Sequence, residues 1–287
     1  VQRVSVVIPT RDRPLLLERA VASVLAQVGV DVEVVVVDDG SAVPVELRGD
    51  ARVRIVRRGH PDGPATARNA GLAEVSEPWV AFLDDDDLWA PDKLALQLQA
   101  LVAAPDAGWV ATGATLADAA LAPVRTFPPP SVPDFRRRNR LIAGASSVLA
   151  RTALVRDLGG FDPAFAVLED WDLWIRLAAA APLAVVDRPL VTYVRVAGGR
   201  SHDAVAIDEA LPRLVAKHGL VELDRRWALL YSGEMHQRAG HRRAAAHRYL
   251  QAAWAFHEPR SLLRALAAAA WPGSIRLRDD RARGRAA

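Results

Sequence analysis

Along the first hundred residues the apolar positions switch between two rhythms. The run VSVVIPT (4–10) is β-branched, continuously apolar and closed by proline and threonine, which predicts a buried strand. In RPLLLERAVASVLAQ (13–27) the period lengthens: Leu17, Ala20, Val21, Val24 and Leu25 recur at helical spacing, and Pro14 suits a first turn. VEVVVVDDGS (32–41) predicts a second strand that breaks into an acidic, glycine-containing turn, and RVRIV (52–56) a third. GPATARNAGLAEV (63–75), with Pro64 just inside its start, predicts a helix. WVAFL (79–83) then predicts a fourth strand and PDKLALQLQALVAA (91–104) another helix.

Strands alternating with helices imply right-handed crossovers, hence an α/β fold with a mostly parallel, Rossmann-like sheet flanked by helices. Unbroken apolar strands agree with a sheet covered on both faces. Ligands of such sheets bind beyond the carboxyl ends of the strands. Those ends carry Thr10-Arg11-Asp12, Asp38-Asp39-Gly40-Ser41 and the quartet Asp84 to Asp87. Adjacent carboxylates repel one another, and near an apolar core they are costly unless a cation neutralises them. A solvated turn, or capping of the helix near Pro91, would account for such a quartet in isolation. Three polar clusters converging on one sheet edge favour a ligand instead.

From about 108 to 195 the pattern is mixed. WVATGAT, SSVLA, LAVVD and LVTYVRV are short strand candidates around the loop FPPPSVPDF and the basic run Arg136, Arg137, Arg138 and Arg140. That run reads as a solvated loop, or as charge placed to meet donor phosphates, an anionic acceptor or a membrane surface. LEDWDLWIRLAAAA (168–181) predicts a helix opening on an acidic cluster, a placement the helix dipole favours by itself. Beyond Asp203 the chain is helical and alanine-rich, and residues 229–259 carry the small-residue and aromatic rhythm of one tetratricopeptide-type hairpin. The expected division is a domain over 1–200, a helical extension over 201–274 and a disordered basic tail over 275–287.

Composition changes this picture little. With 287 residues, 51% hydrophobic and 25% charged, the chain is an ordinary globular one, and a net charge of +3 gives no warrant for nucleic-acid binding. The absence of cysteine excludes disulfides and thiolate metal sites and agrees with a cytoplasmic setting, with the inner face of the membrane as an alternative. No signal peptide is expected, because the first residues enter a strand at once. SLLRALAAAAWPG, the longest apolar candidate, carries Arg264 and predicts a soluble or surface-lying helix rather than a span. High arginine and alanine usage suggests a GC-rich bacterial source.

Alternate aspartates in a turn after a strand can divide work between a hard divalent cation and sugar hydroxyls. VSVVIPTRDRP, VVVVDDGS, GPATARNAGL, FLDDDDLWAPDKL, GGFD and LEDWDLWIRLA occur in an order and spacing that resembles the family 2 glycosyltransferases of GT-A fold, over roughly residues 3 to 200. The resemblance implies transfer of a sugar from a nucleotide-sugar donor to a carbohydrate, lipid-linked or small-molecule acceptor, with inversion and with Mn2+ or Mg2+. It implies a DxD motif on Asp84, Asp85 and Asp86, with Asp86 as metal ligand and Asp84 or Asp85 near the ribose. Asp39 or Asp38 would meet the base, Pro9, Thr10 and Arg68 would complete the nucleotide site, and UDP or dTDP would be the nucleotide. Many relatives carry an aromatic residue where Arg11 stands; a guanidinium can also stack on a ring. The general base falls on Asp170, with Glu169 and Asp172 as rivals; neighbours on a helix point about 100° apart, so 169 and 170 are not expected to share one acceptor. Trp89 and Trp171 would line the acceptor side, while Trp109, Trp227, Trp254 and Trp271 read as packing residues. His202 is a candidate diphosphate or metal contact, or a surface histidine. The helical extension would shape the acceptor side or an oligomer contact. Two other readings fit the aspartates: a nucleotide-sugar-binding protein without turnover, and a nucleotidyltransferase, which the missing glycine-rich phosphate loop disfavours.

Overall fold

A computed structural model describes residues 2–47, 49–130, 134–194, 203–219 and 223–270. His202, Trp271 and the basic tail lie outside the described residues. Two compact units divide the chain: Val1–Phe135 with Asn139–Val196, and Arg136–Arg138 with Ala197–Ala287.

The first unit is built on one sheet in the order β3-β2-β1-β4-β8-β6-β9-β5, with β7 paired to β6. β1 (Arg3–Thr10), β2 (Asp31–Asp38), β3 (Val53–Arg57) and β4 (Trp79–Phe82) run parallel, as the alternating pattern predicts. α1 (Pro14–Leu25), α2 (Pro64–Glu74) and α3 (Lys93–Ala103) occupy the predicted helical stretches. The mostly parallel expectation stops there. β8 (Val148–Arg151) pairs antiparallel with both β4 and β6 (Trp109–Ala117), so the sheet is mixed. LAVVD and LVTYVRV, read as two strands, form one, β9 (Leu183–Val194), which follows β6 in parallel across register shifts near Gly113. Two strands were not visible in the sequence: β5 (Leu88–Trp89) and β7 (Pro123–Phe127).

Between β8 and β9 the chain forms α4 (Thr152–Asp157) and α5 (Glu169–Ala180). Phe82 and Phe161 meet edge to face at 4.9 Å, and Trp109 stacks on Trp174 at 5.8 Å, both within the buried interior. Asn69 of α2 clasps the backbone of Phe161 from both sides, accepting its N–H at 2.8 Å and donating to its carbonyl at 2.7 Å. The RN and GGFD motifs are thus two halves of one joint.

The second unit holds α6 (Ala204–His218), α7 (Arg225–Arg238), α8 (Arg242–Phe256) and α9 (Pro259–Ala270). Asp203 caps α6 by accepting from the N–H groups of Val205 and Ala206. Arg136 donates to the carbonyls of His218 and Gly219 at the other end of α6, so this arginine of the basic run caps a helix C-terminus. α7 and α8 form the hairpin predicted over 229–259: Gly233 lies flat against Tyr249, where a Cβ would come within 2.8 Å of the ring. Trp254, expected to pack, is 85% exposed.

Gly71 shows why α2 needs a glycine on its inner face. A Cβ there would stand 2.3 Å from a methyl of Val7 and 3.0 Å from one of Val37. Gly71→Ala is expected to destabilise the fold by about 1–3 kcal/mol, as overpacking does, lowering the melting temperature by some 2–4 °C per kcal/mol. An unchanged melting curve would show that α2 can lift from the sheet at no cost.

Candidate active site

The four aspartates after β4 have four different surroundings. Asp84 accepts from Arg68 at 2.5 Å through its side chain, while its N–H donates to the Ser146 hydroxyl at 3.1 Å. Asp85 is buried and accepts from the Thr10 hydroxyl at 2.7 Å and from Arg13 at 3.1 Å. Asp86 shares that Arg13 at 3.0 Å and keeps its side chain 16% exposed. Asp87 is fully buried and accepts from the Ser146 hydroxyl at 2.7 Å and the Val194 N–H at 3.1 Å. It ties the loop to the end of β9. Burial, with the neighbouring carboxylates, holds the Asp87 pKa well above the usual range and raises that of Asp86 to about 7.

Arg68 is the second cation of the site. It is buried, lies over the Phe161 ring at 5.1 Å, and spans Asp84 and Glu169, the latter at 2.7 Å. Its Nε has no hydrogen-bond partner among the described residues. Glu169 opens α5, and Leu168 before it turns left-handed at φ 64°. Asp172, one turn on, is buried against Arg176 at 2.5 Å, and Arg176 reaches on to the carbonyls of Leu158 and Gly160. Both rivals of Asp170 are therefore held by arginines.

Asp170 differs. It is half-buried, accepts the N–H of Trp171 at 2.6 Å, and forms no ion pair among the described residues. Its other oxygen lies against Gly144 at the start of a 3-10 turn (Gly144–Ser147), where a Cβ would come within 2.6 Å. Burial, then the Glu169 charge, raises its pKa to about 7 in spite of Arg68.

Other expected contacts fall elsewhere. Asp38 is fully buried, and its oxygens are taken by the N–H groups of Ser41 and Val45 and by Arg57, so it builds its own turn rather than facing a base. Asp39 accepts from Arg58, Asp62 N–H and Gly63 N–H, fixing the start of α2. Pro9 is half-buried at the end of β1, and Arg11 is exposed beside Asp12 at 3.4 Å. The tryptophans do not line an acceptor cleft. Trp171 is fully buried and donates to the Phe135 carbonyl; Trp89 is nearly so, donates to the Ser146 carbonyl and lies under Lys93. Arg13, Gly144 and Ser146 have no sequence pattern of their own: each acts across 59 to 73 residues or through a turn, with no local periodicity to mark it. The glycine before SSVLA was the one available signal.

The carboxylates suit a hard divalent cation. Mg2+ and Mn2+ sites typically take one or two carboxylates and complete their shell with phosphate and water oxygens, and the crowding that raises Asp86 is what a cation would relieve. Among the described residues no three His, Asp or Glu side chains already form a metal cluster.

The sequence pattern described as glycosyl transferase family 2 matches residues 5–146, which includes β1, both acidic turns and Ser146. This chain belongs to glycosyl transferase family 2. The pre-mycofactocin glycosyltransferase of Mycobacterium tuberculosis is 32% identical over 217 residues, 67% of this chain and 44% of that protein. The succinoglycan biosynthesis protein ExoW of Rhizobium meliloti is 42% identical over 109 residues, 34% of each chain. The match thus spans from a third to under half of these curated relatives. Among solved structures, S. aureus TarS 1–349 in complex with UDP-GlcNAc superposes with a TM-score of 0.60 at 16% identity, covering 89% of this chain and 73% of that one. At that identity the likeness is one of fold, GT-A.

The raised pKa of Asp170 makes a stability prediction for this family 2 domain. A carboxyl whose folded pKa lies near 7, above its unfolded value near 4, binds more protons folded than unfolded across that interval. Its contribution therefore weakens as pH rises from about 4 to about 7. The melting temperature of Asp170→Asn minus that of the unsubstituted protein should climb through that window and level off above it. A difference flat in pH would show that Asp170 ionises as freely as in the unfolded chain.

Proposed function

We propose that the domain transfers a sugar from a nucleoside diphosphate sugar to an acceptor hydroxyl with inversion, Asp170 acting as general base and Mn2+ or Mg2+ bound through Asp86. The observation that carries this reading is the division of the α5 carboxylates. Glu169 and Asp172 are bound to arginines, while Asp170 is left with a raised pKa and no ion pair among the described residues. A carboxylate poised near neutral pH at the edge of a ligand site is suited to accept a proton in a transition state.

In the proposed step Asp170 takes the acceptor hydroxyl proton as that oxygen bonds to the anomeric carbon. The bond from that carbon to the diphosphate oxygen breaks, and its electron pair leaves with the nucleoside diphosphate. Inversion requires attack from the face opposite the leaving group, so base and diphosphate stand on opposite sides of the sugar. When bound, the divalent cation would supply positive charge to the departing diphosphate. Thr10 and Arg13 hold Asp85, which would meet the ribose, Arg68 sets Asp84, and Asp39, held by Arg58, would meet the base. UDP is supported as the nucleotide by two names: TarS is solved with UDP and with UDP-GlcNAc, and the E. coli relative WfgD is called a UDP-Glc glucosyltransferase. dTDP remains the alternative, and Arg11 would stack on the base. The acceptor class is a carbohydrate, a lipid-linked sugar or a small molecule, with the reaction in the cytoplasm.

Asp170→Asn should lower kcat by about 10²–10⁴-fold while calorimetry still records donor binding. In the unsubstituted protein kcat/KM should fall below pH of about 7 as Asp170 is protonated. Undiminished turnover in the variant would end the assignment of the base. Asp86→Asn should abolish the Mn2+ dependence of UDP-sugar binding; an unaltered metal titration would move the ligand to another aspartate.

A further inference from the structure

α9 is built inside out for a soluble helix. It buries Ser261, Ala265 and Ala268, all small, against α8, and turns leucines outward: Leu262 is 46% exposed, Leu263 66% and Leu266 59%. On α8, Leu250 and Trp254 are also exposed, one turn apart. At about 100° per residue the three leucines of α9 share one face, with Arg260 along its edge. Between α8 and α9 an open groove of about 610 Å³ is lined by Arg242, Arg243, Ala246, His247, Leu250 and Ala269.

Charge on this hairpin is one-sided. Residues 225–270 contain 8 arginines and 2 acidic residues, in a chain whose net charge is only +3. The two acidic side chains among residues 225–270 are already engaged, Glu234 by Arg238 and Glu258 by Arg226. Arg242, Arg243 and Arg260 form no ion pair among the described residues, and no helix there is long and apolar enough to cross a membrane.

We propose that the outer face of α8 and α9 docks on an anionic phospholipid bilayer. Leucine and tryptophan side chains would enter the headgroup–acyl boundary while the flanking arginines extend to lipid phosphates. A second copy of this chain fits the face less well. A two-fold contact would bring the same arginines together, and the two carboxylates of residues 225–270 are already held by other arginines. An anionic bilayer satisfies both the apolar and the cationic half of the surface.

The test is co-sedimentation of the full chain with vesicles of phosphatidylcholine alone and of phosphatidylcholine mixed with phosphatidylglycerol. Binding is expected only to the mixed vesicles and should weaken as salt is added. L262Q/L263Q/L266Q should lose it at least about tenfold. R242Q/R243Q/R260Q should lose about fivefold per arginine removed. All altered positions are on the surface, and circular dichroism melting of each variant verifies the fold. W254S supplies a second apolar variant if the triple change unfolds α9. The proposal is overturned if phosphatidylglycerol vesicles are not bound, or if the leucine variant binds them undiminished. It is equally overturned if light scattering shows a salt-resistant oligomer that the leucine changes dissolve, since the face would then be a self-contact.

Discussion

Four carboxylates in a row at the end of a buried strand are the constraint around which the first unit is organised. Two like charges about 4 Å apart near a protein surface repel by roughly 4 kcal/mol, a large share of the ~5–15 kcal/mol that holds a domain folded. The chain answers by giving every carboxylate a donor. Arg13, from the turn after β1, joins Asp85 to Asp86. Arg68, from α2, joins Asp84 to Glu169. Asp87 is held by a hydroxyl and a backbone N–H, and burial with its acidic neighbours raises its pKa. Strand order follows from the same need. β1 and β4 are neighbours in the sheet, so Thr10 and Arg13 emerge beside the aspartates that they bind.

Arg68 carries the organisation from the sheet to α5. By engaging Glu169 it fixes the first residue of that helix, and Arg176 fixes the fourth through Asp172. Asp170 lies between two restrained turns and against Gly144, so its carboxylate has little freedom to find a cation of its own. Burial with Glu169 as neighbour then raises its pKa. A site that keeps one carboxylate uncompensated gives up stability to hold it, a common trade at functional positions.

The sequence displayed the parts of this arrangement that rest on local period and concealed those that rest on partnership. β1 to β4 and α1 to α3 were legible because a two-residue or helical repeat persists for several turns of chain. β5, two residues long, has no period to read, and β9 reads as two strands because Asp187, Arg188 and Pro189 interrupt its apolar run. At the site, residue types were legible and assignments less so. Asp38 and Asp39 lie in the same turn, and both are engaged locally, Asp38 by the N–H groups of its own loop and Asp39 by Arg58 and the start of α2. Trp171 lies beside the acidic pair in sequence, but a helix separates neighbours by about 100°, which sends its ring into the core.

The helical unit shows a different blind spot. An amphipathic pattern says that a helix has two faces, but not which of them is buried. In α9 one apolar face is leucine and the other is alanine and serine, and the tight α8–α9 pairing selects the second. Ala245, Tyr249 and Ala252 of α8 meet Ser261, Ala265 and Ala268 in a contact that larger side chains would hold apart. The leucines face outward because the alanines face inward. A helix selected only for the stability of its own unit would place leucine in that interface, since each buried leucine adds about 1.5–3 kcal/mol. Its outward placement, with arginines at its border, is the arrangement expected of a surface that meets something both apolar and negatively charged.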